Sequence, residues 1–179
     1  MKEVEKKELI SKEQYLACLA YLMKKQIGNR KLQVNYYYDT DDFRLYTNNE
    51  TLRVRQIEDQ LKLEYKHNKT IENNVRTCDE YTQALDSLPS SIDNDALNIH
   101  NCKYIGSLIT ERYDFKLNNS IISLDKNYYL GTLDYEIEIE TEDDFQGIDF
   151  INPLGFTFEK PLVGKYQRFV DLLKSRNAK

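Results

Sequence analysis

The sequence predicts an α+β fold, mostly β, in which about eight strands close into an antiparallel barrel with flanking helices. Strand-like segments are joined by short links, which favour antiparallel neighbours. Two longer segments have the apolar spacing of a helix. Four segments carry charge at alternate positions, where a sheet normally presents at least one apolar face: Glu3, Glu5 and Lys7; Arg53 and Arg55; Lys62, Glu64 and Lys66; Glu136, Glu138 and Glu140. Strand side chains alternate between faces, so these sets project one way. Val4, Leu52, Val54, Leu61, Leu63, Ile137 and Ile139 project the other, toward packing with helices.

Lys2–Ile10 reads as the first strand. Ser11 followed by Gln14 is a capping-box pattern that starts a helix reaching about Gln26, with Tyr15, Leu16, Leu19, Leu22 and Met23 as a core-facing stripe. Gly28-Asn29 ends it. Strands follow over about Lys31–Thr40, Thr51–Ile57 and Gln60–His67, the last two forming a hairpin around Glu58-Asp59. Val75–Thr82 is a weaker strand, and Ser87–Asn101 reads as a loop holding a short helix near Asp93–Leu97. Tyr104–Leu117 and Ser120–Tyr129 form a second hairpin around Asn118-Asn119, followed by a strand over Leu133–Thr141. A short helix within Glu142–Phe150 and a final one over Lys165–Ser175, with Tyr166, Phe169, Val170 and Leu173 as its apolar face, complete the chain.

The 179 residues read as a single domain, 1–179, long enough to bury a sizeable core. Hydrophobic residues at 40% and charged residues at 31% describe a globular chain, and no apolar run approaches the ~20 residues that span a bilayer. A charged start without an apolar segment predicts a cytoplasmic protein with no membrane partner. Cys18, Cys78 and Cys102 are odd in number and widely spaced, so they read as reduced thiols. A net charge of -5 argues against nucleic acid as a partner, although local basic clusters can still bind a small anion.

The charged faces are either the wet side of an open sheet or the lining of a polar tunnel. A closed barrel turns Glu80, Arg76 and Arg112 inward with the sets above, and charges so placed must share the space with water and bound ions. Glutamates crowded on one face repel unless protonated or bridged by a hard cation. Carboxylate-only donors suit Mg²⁺ or Mn²⁺. Neutralising one of the crowded set, as in Glu138→Gln, is expected to leave the fold as stable or more so. The arginines and lysines have the geometries that hold phosphate oxygens. Acids for a metal and bases for phosphate point to phosphoanhydride chemistry. Gly164-Lys165 lacks the rest of a phosphate-binding Walker loop, and His67 and His100 lack a nucleophile pattern.

These residues together resemble the CYTH domain of the triphosphate tunnel metalloenzyme superfamily, among its small single-domain bacterial members. Glu3-Val4-Glu5-Lys6-Lys7 matches the family's ExExK signature. Tyr37-Tyr38-Asp39-Thr40, Leu52-Arg53-Val54-Arg55, the LxxK ending at Lys66, Arg112, Asp125, Tyr135 to Glu140, and Lys165 with Arg168 follow in family order. The resemblance implies an eight-stranded tunnel, divalent cations and a small-molecule triphosphate as partner. Glu3, Glu5, Glu136, Glu138, Glu140 and Asp125 would hold the metal. Lys7, Arg53, Arg55, Lys62, Lys66, Arg112, Lys165 and Arg168 would hold the triphosphate, with Lys7, Glu5 and Glu138 at the reacting group. Inorganic tripolyphosphate is the leading substrate, since the chain has no tryptophan to stack on a base. The alternatives are a nucleoside or thiamine triphosphatase, a class IV adenylate cyclase, and a non-catalytic triphosphate- or polyphosphate-binding module. A homodimer is compatible with the chain, but nothing in it requires one.

Overall fold

Nine strands carry the fold: β1 (Lys2–Ile10), β2 (Asn29–Asp39), β3 (Thr51–Ile57), β4 (Gln60–Glu72), β5 (Val75–Leu85), β6 (Ser91–Asn94), β7 (Ile99–Leu117), β8 (Ser120–Tyr129) and β9 (Thr132–Thr141). The structure, a computed structural model, describes residues 2–25, 28–72, 75–117, 120–141, 151–158 and 163–177, the side chains of residues 2, 3 and 152 excepted. The strands form one antiparallel sheet in the order β2-β3-β4-β5-β1-β9-β8-β7-β6, and a further pairing of β2 with β7 closes eight of them into a barrel. Two three-strand meanders, β3–β4–β5 and β7–β8–β9, are each built by short links. β1 joins them on one side by pairing with β5 and β9, and β2 on the other by pairing with β3 and β7.

The apolar faces point outward. Ile137, Ile139, Ile122 and Leu124 lie under α1 (Lys12–Lys25) together with Ile151, Phe156 and Phe158. Ser11 and Gln14 cap this helix reciprocally: the Gln14 amide donates to Ser11 Oγ at 3.1 Å, and the Ser11 amide donates to Gln14 Oε1 at 2.8 Å. Its buried face is Tyr15, Cys18 and Leu22, while Leu16 and Met23 are exposed, so the apolar stripe read from sequence is rotated. Positions 15, 18 and 22 follow one helical face; positions 16 and 23 lie about 100° round from it. Leu52, Val54 and Leu63 form a second outer core with Leu45, Ile92 and Ile99. It is covered by the short α2 (Arg44–Thr47) and by β6, rather than by a long helix. Asp39 accepts the amide hydrogens of Leu45 and Tyr46 at 2.9 and 3.0 Å, which gives this four-residue helix the anchor its length denies it.

The segment read as a loop with a short helix holds β6 and a single 3₁₀ turn, Asp95–Leu97. β7 begins earlier than expected because Ile99 and Cys102 bury against that outer core, and β6 pairs with this extension. The helix expected within Glu142–Phe150 falls outside the described residues. The last helix, α3 (Lys165–Asn177), sets Tyr166, Phe169 and Val170 against Tyr37, Leu108 and Tyr129. Tyr37 meets Tyr166 and Phe169 at ring separations of 5.1 and 5.2 Å. Gly106, at φ 143°, makes room for this packing: a Cβ there would stand 2.5 Å from the Phe169 ring. Cys18, Cys78 and Cys102 are buried and form no disulfide, and burial pushes the Cys18 thiol up to about 12. Among the described residues no helix is long and apolar enough to cross a membrane.

Candidate active site

The inward phase of the barrel strands encloses a cavity of about 250 Å³. From β3, β4 and β5 come Arg53, Arg55, Lys62, Lys66, Lys69 and Arg76, with Glu64 and Glu80 as the carboxylates of that wall. From β1 come Glu5 and Lys7, from β7 Arg112, from β9 Glu138 and Glu140, and from α3 Lys165. Asp125 and Glu136 are fully buried behind this opposite wall.

The acid wall is internally paired. Lys165 Nζ lies 2.8 Å from Asp125, 2.6 Å from Glu136 and 2.6 Å from Glu138. Arg112 holds Asp125 through two donors, each at 2.6 Å, and also pairs with Glu138. Arg168 donates to Glu136 at 2.6 Å and to Asp134 at 3.2 Å; it backs the acid cluster and does not line the cavity. Lys7 lies between two carboxylates, 2.6 Å from Glu5 of its own strand and 3.4 Å from Glu138. Burial pushes the Glu136 carboxyl up to about 7 against the pull of Lys165 and Arg168. Burial acts on Glu138 in the same sense, but Lys165, Arg112 and Lys7 outweigh it and hold that carboxyl well below the usual range.

On the basic wall Arg53 is committed to Glu64, with Nε at 2.8 Å and Nη2 at 2.7 Å. Arg55 is held more loosely, 3.2 Å from Asn35 Oδ1 and 3.4 Å from Glu64. Burial, then the charge of Arg53, pulls the Arg55 guanidinium down to about 10. Burial would raise Glu64, yet Arg53 and Arg55 hold it down at about 2.

Of the site positions named from the sequence, Glu5, Lys7, Arg53, Arg55, Lys62, Lys66, Arg112, Glu138 and Glu140 of the strands meet in one cavity with Lys165, which the family resemblance implies. Asp125, Glu136 and Arg168 form the layer behind it. Glu3 lies in β1 opposite Cys78, and its side chain falls outside the described ones. Lys69, Thr51 and Asn35 were missed: two are uncharged and so left no mark in a charge pattern, and Lys69 is out of phase with it. The donor set suits a hard divalent cation. Asp125, Glu136 and Glu138 each offer an oxygen, all within 4.8 Å of one another, and the Lys165 ammonium among them is a cation already held by that set.

The CYTH domain family matches residues 1–159. The chain belongs to that family. A Bacillus subtilis (strain 168) protein named as a candidate triphosphatase, YjbK, is 29% identical over 161 residues, which cover 81% of this CYTH chain and 80% of that one. A solved structure of a candidate adenylate cyclase from Bacillus halodurans superposes with TM-score 0.75 at 30% identity, covering 94% of this chain and 98% of that one. The candidate adenylyl cyclase HpAC1 from Hippeastrum, described as having a dominant triphosphatase activity, superposes with TM-score 0.72 at 20% identity over 94% and 95% of the two chains, a likeness of fold.

Proposed function

We propose that this CYTH protein hydrolyses a compact triphosphate, inorganic tripolyphosphate before any nucleotide, with Mg²⁺ or Mn²⁺ held by its acid wall. The observation that carries the reading is the segregation of charge within one cavity, a cationic wall from β3–β5 facing carboxylates from β8 and β9. The cavity, at about 250 Å³, is smaller than the ~300–1,000 Å³ of sites for drug-sized ligands. Among its described lining residues the one aromatic is Tyr166, whose hydroxyl donates to Asp39. Both facts favour a substrate without a base. The likeness to YjbK supports the same activity.

When bound, the divalent cation would neutralise charge on the phosphate oxygens and lower the pKa of a water. Arg55, Lys62 and Lys66 would donate to the phosphate oxygens and fix the chain of phosphates in line. Lys7, paired with Glu5 and Glu138, would hold the reacting phosphoryl group, and these two carboxylates would orient the attacking water. The water oxygen would then bond to the terminal phosphorus as the bridging P–O bond breaks, the water's proton passing to the departing pyrophosphate, so that phosphate and pyrophosphate are released. Lys165 would exchange its carboxylate partners for phosphate oxygens.

A class IV adenylate cyclase is the second reading, favoured by the likeness to the Bacillus halodurans protein. Purified protein offered tripolyphosphate, ATP and thiamine triphosphate with each metal tests both. Phosphate release greatest from tripolyphosphate is expected; cyclic AMP formed from ATP without phosphate release would replace the hydrolase with the cyclase.

A further inference from the structure

The alternation that aims Lys62, Glu64 and Lys66 of β4 into the cavity should aim Asn68 inward next and turn Lys69 out. The strand breaks that phase. His67 pairs with Asp79 and Thr70 with Thr77, so Asn68 and Lys69 together oppose Cys78, a bulge of one extra residue. Asn68 takes φ 50°, a left-handed backbone that asparagine tolerates better than most residues, and is exposed, donating to Asp79 Oδ2 at 3.0 Å. Lys69 is thereby brought into the cavity lining, donating to Thr51 Oγ1 at 2.6 Å.

The groups that act most strongly on Lys69 are Arg76 and Cys78 of β5, Lys66 of its own strand and Lys7 of β1, and the carboxylates Glu5, Glu64 and Glu80 line the same cavity. Thr51 of β3 is its one hydrogen-bond partner among the described residues. Burial, then the charge of Arg76, pushes the Lys69 ammonium down to about 7, with Lys66 and Lys7 acting in the same sense and Cys78 against them. A bulge and a left-handed residue that bury one cation among others lower the stability of the barrel by themselves. Such breaks in local consistency mark functional positions.

We propose that Lys69 is a further anion-binding residue of the tunnel, holding with Lys66 and Arg76 the phosphoryl group that lies against the basic wall. The assignment rests on reading the cavity as a triphosphate site, and it adds a contact that the alternating pattern does not contain. Arrival of a polyanion stabilises the charged ammonium, so above neutral pH binding draws a proton onto Lys69.

Calorimetry of the full chain with tripolyphosphate, in chelator and at about pH 8 in two buffers of unlike ionisation heat, tests this. Lys69→Met should bind about tenfold or more weakly, as expected for loss of a charge-assisted contact. Lys69→Arg should keep most of the affinity while taking up less proton than wild type, because arginine is already charged. Affinity of Lys69→Met within twofold of wild type, equal proton uptake by wild type and Lys69→Arg, or no tripolyphosphate binding by wild type would each overturn the assignment. Phosphate release with Mn²⁺ separates this from the hydrolase reading. Release by wild type that Lys69→Met leaves unchanged removes Lys69 alone. Lys69-dependent binding without any release removes the hydrolase and leaves Lys69 an anion site.

Discussion

The wall from β3, β4 and β5 and the wall from β8 and β9 face the same cavity but treat their charges in opposite ways. The acid wall is saturated: Asp125, Glu136 and Glu138 share Lys165, and Arg112, Arg168 and Lys7 pair with one or two of them each. The basic wall turns six cationic side chains inward with two carboxylates of its own, and Arg53 takes the closer hold on one of these, Glu64. Charges that are paired inside the protein hold the barrel together. A wall with more cations than carboxylates favours an anionic ligand, and its cost is met when one binds.

The largest effect should come from Glu138→Gln. Loss of a carboxylate that serves both metal and water is expected to lower turnover by about 100- to 1,000-fold, the scale seen when one preorganised contact is removed from a reacting site. The geometry also reverses the sign that crowding alone predicts for stability. Three cations converge on Glu138, so removing its charge should lower the melting temperature of the metal-free protein. A variant that is inactive yet more stable would mean that repulsion among the carboxylates still dominates that wall.

Arg53 and Arg55 sharpen the contrast within one strand. Arg53→Ala takes from buried Glu64 its two shortest contacts and should cost about 3–5 kcal/mol of stability, read by denaturant unfolding. Arg55→Ala should spare the fold and lower kcat/KM for tripolyphosphate by about tenfold or more, a loss of about 1.5–3 kcal/mol. Equal effects of the two variants on both measurements would dissolve the distinction between structural and ligand-facing cations.

Smaller shifts follow from titration. Glu64 is depressed in the folded state, so its contribution is complete above its unfolded pKa of about 4.3 and is lost as the pH falls toward 2. Glu64→Gln should flatten stability over that window. Lys69 is also depressed, so between about pH 7 and 10.5 the folded chain binds fewer protons than the unfolded one and stability rises with pH. Lys69→Met should remove that rise and lift the neutral-pH melting temperature by about 2–4 °C per kcal/mol recovered. A lowered melting temperature would mean that the lysine stem contributes more by packing than its charge costs.

Much of this was legible in the sequence because a barrel imposes one strict rule. A two-residue phase that puts Arg53, Arg55, Lys62, Lys66 and Glu138 on one side must put Leu52, Val54, Leu63 and Ile137 on the other, and the ring of pairings turns the first side inward. Reading failed where the backbone departs from the rule. The bulge at Asn68–Lys69 inverts the phase without changing composition. β6 has no alternating run, since only Ile92 is buried. α2 is too short to show a period and depends on Asp39, several residues upstream. The pairing of Arg168 with Glu136 depends on how α3 docks, which no local pattern records.

The order of strands along the chain has a kinetic consequence. The basic meander and the acid meander are separate stretches of sequence, and they meet through β1 and β2, with Lys7 reaching Glu138 across 131 residues. Closing so long a loop is entropically costly, and barrels built on such distant pairings fold slowly. By sequence the basic meander, 51–85, is neutral, with six basic and six acidic residues, so the opposition of charge exists only once the strands have formed and turned the cations and the facing carboxylates inward, within roughly a Debye length, ~10 Å at 0.1 M salt, of each other. Added salt should therefore speed unfolding more than it slows refolding, because the attraction between the two walls arises with the barrel and not ahead of it.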